Sequence, residues 1–184
     1  YHTGIASDAE TDYIELDSTG AAADYPMWND TAPTSSVFSL GNNTAVNKSD
    51  GTGTYVAYCW HGVEGFSKFG SYVGNADADG PFIYLGFKPA FLIVKNISVA
   101  SGGAPVDSDW IMVDNKRDPN NSVSQWIRAN ESGAENPGAE YNGEFDFLSN
   151  GFKVRYSRSM VNGSGNTLIY MAWAEMPFKY ATAR

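Results

Sequence analysis

Residues 55–96 read YVAYCWHGVEGFSKFGSYVGNADADGPFIYLGFKPAFLIVKN, and this stretch decides the fold class. Its apolar residues fall into short runs separated by turn residues. Tyr55-Val56-Ala57-Tyr58-Cys59-Trp60 predicts a buried strand. Phe66 to Val73 sets Phe66, Phe69 and Tyr72 among small polar residues. Phe82 to Leu85 and Phe91 to Val94 are aromatic and β-branched runs on either side of Gly86-Phe87-Lys88-Pro89. Runs of four to eight such residues bounded by Gly, Pro, Asn and Asp read as strands.

Outward from this stretch the same grammar continues. Tyr13 to Asp17 alternates and predicts a strand with one buried face. Ala21 to Thr34 reads as a loop anchored by Trp28, and Val37 to Leu40 as a short strand. Trp110 to Val113, Gln125 to Ala129 and Leu168 to Ala174 read as further strands. Phe145 to Leu148 and Phe152 to Tyr156 flank Ser149-Asn150-Gly151. An Asn-Gly pair between apolar alternations predicts a hairpin, because both residues tolerate positive φ. No window of a dozen residues carries a helical period. With aromatics at 14% and 19 Gly in 184 residues, the expected class is all-β: an antiparallel β-sandwich.

The chain also looks duplicated. Ile169-Tyr170-Met171-Ala172-Trp173-Ala174 mirrors Thr54-Tyr55-Val56-Ala57-Tyr58-Cys59, and Pro177-Phe178-Lys179-Tyr180 echoes Phe66-Ser67-Lys68-Phe69. At one offset Val46-Asn47-Lys48-Ser49 falls on Val161-Asn162-Gly163-Ser164. At a nearby one Tyr13-Ile14-Glu15-Leu16 falls on Trp126-Ile127-Arg128-Ala129, and Val37 to Leu40 corresponds to Phe145 to Leu148. Ordered blocks of this kind predict two related units, 1–72 and 73–184. The second would open with strands that the first lacks, so the first unit is expected to be incomplete at its N-terminus. Its apolar edge would then need a neighbour.

Composition excludes several functions. A net charge of −9 gives no basic footprint for nucleic acid and opposes binding to an anionic membrane. No apolar run reaches the 18 residues of a spanning helix, and no signal peptide is recognisable. Cys59 is the only cysteine, so no internal disulfide forms and the thiol reads as buried and inert.

Catalytic chemistry is thin. His2 and His61 are the only histidines. His61 lies two residues from Cys59, but no third residue can be named to orient that couple, and a structural strand-end histidine is the simpler reading. No nucleophile elbow, phosphate loop, HExxH or CxxC is present. The carboxylates offer no basis for choosing a glycosidase pair. Asn75-Ala-Asp77-Ala-Asp79-Gly80 sets oxygen ligands at alternate positions, like the first half of a calcium loop. Gly86 stands where the twelfth-position carboxylate belongs, which favours an acidic turn. Catalytic, cofactor and metal residues are therefore expected to be none. Trp28, Trp126 and Tyr141 fit either core or sugar-stacking roles. The sequons at Asn29 and Asn96 follow from an Asn/Ser/Thr-rich surface.

The run from Ala57 to Asn96, then WIMVDNKRDPNN, FDFLSNGFKVR and IYMAWAEMPFKYATAR, resembles a structural, tail-fibre-associated domain of marine tailed bacteriophages. The resemblance covers nearly the whole chain. It implies a non-enzymatic virion protein, part of a tail fibre or appendage used in host attachment, working as a homo-oligomer (a trimer by analogy). Its partners would be other virion proteins and a host surface glycan or receptor. A capsid decoration or head fibre, and a carbohydrate-binding or depolymerase module, are the alternatives.

Overall fold

Strand β10 (Thr167–Ala174) sits at the middle of the molecule because it is apolar on both faces. Leu168, Tyr170 and Ala172 point one way and Ile169 and Met171 the other. A strand covered on both sides reads as a continuous apolar run rather than an alternation. The same holds for β5 (Pro89–Asn96), where Leu92 and Val94 oppose Ile93 and Lys95. In the computed structural model, which describes residues 1–48, 50–99, 108–135 and 144–176, these two strands pair antiparallel over seven residue pairs.

β3 (Ser67–Val73) flanks β10, while β6 (Trp110–Asp114) and β7 (Trp126–Arg128) extend the sheet beyond β5. The result is a five-stranded antiparallel sheet in the order β3-β10-β5-β6-β7. A second antiparallel sheet has the order β4-β9-β8, from β4 (Phe82–Tyr84), β8 (Phe145–Leu148) and β9 (Gly151–Val154). The two pack face to face, which confirms the all-β, antiparallel sandwich. Tyr72, Leu92, Val94, Ile111, Val113 and Tyr170 of the larger sheet meet Ile83, Phe145, Phe147, Phe152 and Val154 of the smaller.

Residues 1–28 form a third layer on the opposite face of the larger sheet. Ile5, Ala6, Ile14 and Ala22 cover Ile93, Ile97, Trp110, Ile169 and Met171. The layer has little regular structure, only the short pair β1 (Asp12–Tyr13) and β2 (Ala23–Asp24). Polar ties hold it instead. The indoles of Trp110 and Trp28 donate to the carbonyls of Glu15 and Asp12 at 2.9 and 3.0 Å. His2 bridges the Tyr170 carbonyl, 3.2 Å from its Nε2, and the Gly4 amide, which donates to its Nδ1 at 2.9 Å. Those partners require the neutral ring with the proton on Nε2, and burial accordingly lowers its pKa. Trp28 is thus an anchor, as expected, with its ring edge-on to Tyr1. One helical turn, α1 (Ser159–Asn162), precedes β10.

Three strand expectations need correcting, and in the first of them, Tyr13 to Asp17, only Tyr13 lies in a strand while Leu16 is exposed. Tyr55 to Trp60 is not a buried strand. It has no strand pairing, and Val56, Tyr58 and Trp60 are 76%, 75% and 62% exposed. It is therefore no counterpart of Ile169 to Ala174, which lies in the core. Val37 to Leu40 is likewise exposed and outside any strand, whereas Phe145 to Leu148 is β8. The duplication has no counterpart in the strand map, and the expected boundary at 72/73 falls inside β3. Alternation shows that a segment can form a strand; it does not supply a partner edge. Pro177 to Tyr180 and Tyr141 lie outside the described residues.

The hairpin at 145–154 forms, with a different centre. Leu148 pairs with Gly151, so Ser149 and Asn150 make the turn, and neither has positive φ. Gly151 serves β4 rather than the turn, since a methyl group there would meet the Ile83 carbonyl oxygen. The Asn150 carbonyl also accepts from the amides of Leu85 and Gly86. Gly151→Ala should therefore push β4 off the small sheet at a cost of about 1–3 kcal/mol. Urea denaturation checks this, and an unchanged midpoint would mean that β4 is not held this closely.

Candidate functional site

The most unusual surface is the arm between residues 29 and 62. It is anchored at its start where the Gly41 amide donates to the Met27 carbonyl at 2.7 Å, and at its end where Val63 and Ser67 bridge. Between these points lie exposed Val37, Phe38, Leu40, Tyr55, Val56, Tyr58 and Trp60. Single exposed apolar residues are ordinary, but seven of them along one segment are not. Tyr58 and Trp60 stack on each other with ring centroids 6.0 Å apart and planes at 17°. The Tyr55 hydroxyl donates to the Thr44 carbonyl at 2.6 Å, tying the arm to its own base.

Cys59 and His61 lie on this arm and are both exposed, so the expected burial of the thiol is overturned. His61 Nδ1 lies 3.0 Å from the Gly62 carbonyl. Phe66, just before β3, and Val73, at its far end, are exposed, as are Phe82 and Tyr84 on β4. Lys68 links the two edges, donating to the Tyr84 carbonyl at 2.7 Å with its ammonium 5.3 Å from that ring's centroid.

The Asn75–Gly80 turn is organised by an amide. Buried Asn162 of α1 accepts from the Asn75 amide at 2.9 Å and donates to Asn75 Oδ1 and to the Asp77 carbonyl at 3.0 and 2.7 Å. Asn75 Oδ1 and Asp77 Oδ1 also accept from the amides two residues on, the usual Asx pattern. Asp79 faces Lys153 at 2.8 Å and Arg155 at 3.7 Å, and Lys153 holds its carboxyl below the usual range. Asn75 Oδ1, Asp77 Oδ1 and Asp79 Oδ1 are thus each engaged by a protein donor. Among the described residues no cluster of three or more His, Cys, Asp or Glu could hold a metal ion.

The charged loop after β6 borders a polar hollow lined by Lys88, Asn115, Asp118, Asn120 and Phe147, of roughly 180 Å³. Asp118 is occupied by the amide and hydroxyl of Ser124 at 2.9 and 3.1 Å, and Lys88 by Glu175 at 2.9 Å. Trp126 is core, not a sugar platform. Asn96 is fully buried and donates to the Ser159 carbonyl, so its sequon is inaccessible in the folded chain.

Three buried ionisable residues carried no sequence signal. Lys95 is fully enclosed beneath Trp110 and donates to the Ser108 carbonyl. Burial lowers its pKa to about 8, against the pull of Asp109. Asp109 is itself enclosed, held by Arg128 at 3.0 Å and Asn130 at 2.8 Å. Glu144, just before β8, is fully buried, and neither carboxylate oxygen has a hydrogen-bond partner. Burial raises its pKa to about 7, with the Arg158 charge acting the other way.

No curated protein and no solved structure matches this chain. A family model, described as Domain of unknown function (DUF7483), matches residues 1–177. The chain therefore belongs to the DUF7483 family.

Proposed function

We propose that the chain is a non-enzymatic assembly module of a bacteriophage virion, working as a homo-oligomer in a tail fibre or similar appendage used for host attachment. The observation that carries the assembly reading is the arm: an extended segment presenting Tyr55, Val56, Tyr58 and Trp60 to solvent from a well-packed sandwich. Aromatic residues are what protein interfaces use at their centres. The virion setting rests on the resemblance of the sequence to phage structural domains.

Sedimentation of the full-length protein at micromolar concentration tests the assembly. A homo-oligomer is expected, a trimer by analogy with appendages, and a stable monomer overturns it. Mass spectrometry of purified particles tests the setting, with the polypeptide expected among the structural proteins. A second reading, glycan binding, is favoured by the stacked, exposed Tyr58 and Trp60 rings. Quenching of tryptophan fluorescence by host polysaccharide, lost in Trp60→Ala, would support it.

A further inference from the structure

Strand β3 is an edge of the large sheet. It pairs with β10 on one side, and on the other side, among the described residues, it makes only the Val63–Ser67 bridge, at its first residue. That bridge fixes which groups point outward. Ser67 and Val63 exchange both backbone bonds, at 3.0 and 2.9 Å, so they form a hydrogen-bonded antiparallel pair. Such pairs recur every second residue. Phe69, Ser71 and Val73 therefore turn their amides and carbonyls to the open edge. Continuing the register sets Cys59 opposite Ser71 and Ala57 opposite Val73.

The segment does not take those places in its own copy. It turns away immediately after the bridge, and residues 52–62 make no backbone–backbone hydrogen bond to a described residue. Two complementary rows of unpaired groups thus lie in one chain without meeting: an extended aromatic segment and an open sheet edge. We propose that residues 57–60 pair antiparallel with the open edge of β3 in a neighbouring copy, Cys59 against Ser71 and Ala57 against Val73. This adds a sixth strand to each large sheet, and Gly62 is the hinge.

Charge selects the same surfaces. Each copy carries a net charge of −9, so copies repel except where neutral surfaces meet. Residues 51–63 and 69–76 contain no Asp, Glu, Lys or Arg. Tyr58 and Trp60 then fall opposite Tyr72 and Gly70, on the face of the large sheet that looks towards the small one. An unsatisfied edge whose one charge, Lys68, is drawn to the Tyr84 carbonyl and ring is the kind of template that another chain completes.

The proposal rests on the self-association reading above, and the test separates the two. Cys59 is the only thiol, and Ser71 is exposed, so Ser71→Cys introduces one possible partner. Opposed residues in an antiparallel pair lie about 5.5 Å apart at Cα, within disulfide range. Mild oxidation of Ser71→Cys should give a species linked between copies on a non-reducing gel, with the 59–71 peptide pair found by mass spectrometry. The wild type should give none. A 59–71 link within one copy would mean that the strand closes on its own sheet, and this overturns the proposal. So does absence of the link. If sedimentation still shows an oligomer in either case, self-association stands and only the strand exchange fails. Cys59→Pro provides the second arm. It removes an amide that makes no backbone bond within its own copy, so the circular dichroism spectrum should be unchanged while the oligomer is weakened at least tenfold. An oligomer as tight as the wild type would overturn the proposal.

Discussion

Phe152→Ala should be the most damaging single truncation in the sandwich, lowering stability by about 3–5 kcal/mol. Phe152 is fully buried and its ring is edge-on to three others: Tyr72 at 6.0 Å, Phe145 at 5.8 Å and Tyr170 at 5.6 Å. Those rings come from both sheets, so removing Phe152 opens a cavity at the contact between them. Aromatic pairs contribute about 0.5–1.5 kcal/mol each beyond their buried area, which places the loss toward the upper end of the range. Tyr170→Ala should be nearly as costly. Trp173→Ala should cost less, because Trp173 lies at the margin between Phe69 and Phe91 and remains partly exposed. Denaturant unfolding of the three variants gives the order, and a Phe152→Ala loss under about 1 kcal/mol would show that the sheets do not pack through it.

Glu144→Gln should make the protein more stable at pH 8 than the wild type, by about 3 kcal/mol, and equally stable near pH 4. In the folded chain the carboxyl titrates near 7, against 4.5 for an ordinary glutamate. Below about pH 4.5 it is protonated both folded and unfolded and costs nothing. As pH rises from 4.5 to 7 the unfolded chain releases the proton while the folded chain retains it, so stability falls. Above 7 the loss is complete, at roughly 1.4 kcal/mol for each unit of the shift. His2 acts with the opposite sign. Its pKa is lowered by burial, so its contribution is lost as pH falls below about 6.5. The wild-type curve therefore mixes the two, and the difference between wild type and variant isolates Glu144. Melting temperatures across pH 4–8 give that difference, and parallel curves would mean that Glu144 is solvated or paired.

Much of the sandwich is legible in the sequence. The β-branched and aromatic runs at 66–73, 82–85, 91–94, 110–113 and 168–174 each become strands, because a short apolar run bounded by Gly, Pro or Asn has few other ways to hide its side chains. The 145–154 hairpin was legible from its two apolar alternations, though not its centre, because Gly151 is required by the neighbouring β4 rather than by the turn. The half calcium motif at 75–80 was legible as a turn. What organises it was not, since Asn162 lies more than 80 residues away and carries no signal of its role.

The sequence by itself determined the class of the fold, the positions of its central strands and the acidic character of the chain. Only the tertiary structure decided which runs found partners. Tyr55 to Trp60 and Ile169 to Ala174 look alike as sequences, yet one is exposed and the other is the centre of a sheet. The physical reason is that periodicity encodes which faces of a segment are apolar, a local property. A strand is completed by an edge from elsewhere, through backbone groups that are the same in almost every residue. The burial of Glu144 and Lys95 was likewise hidden, because enclosure of a charge is set by what folds over it.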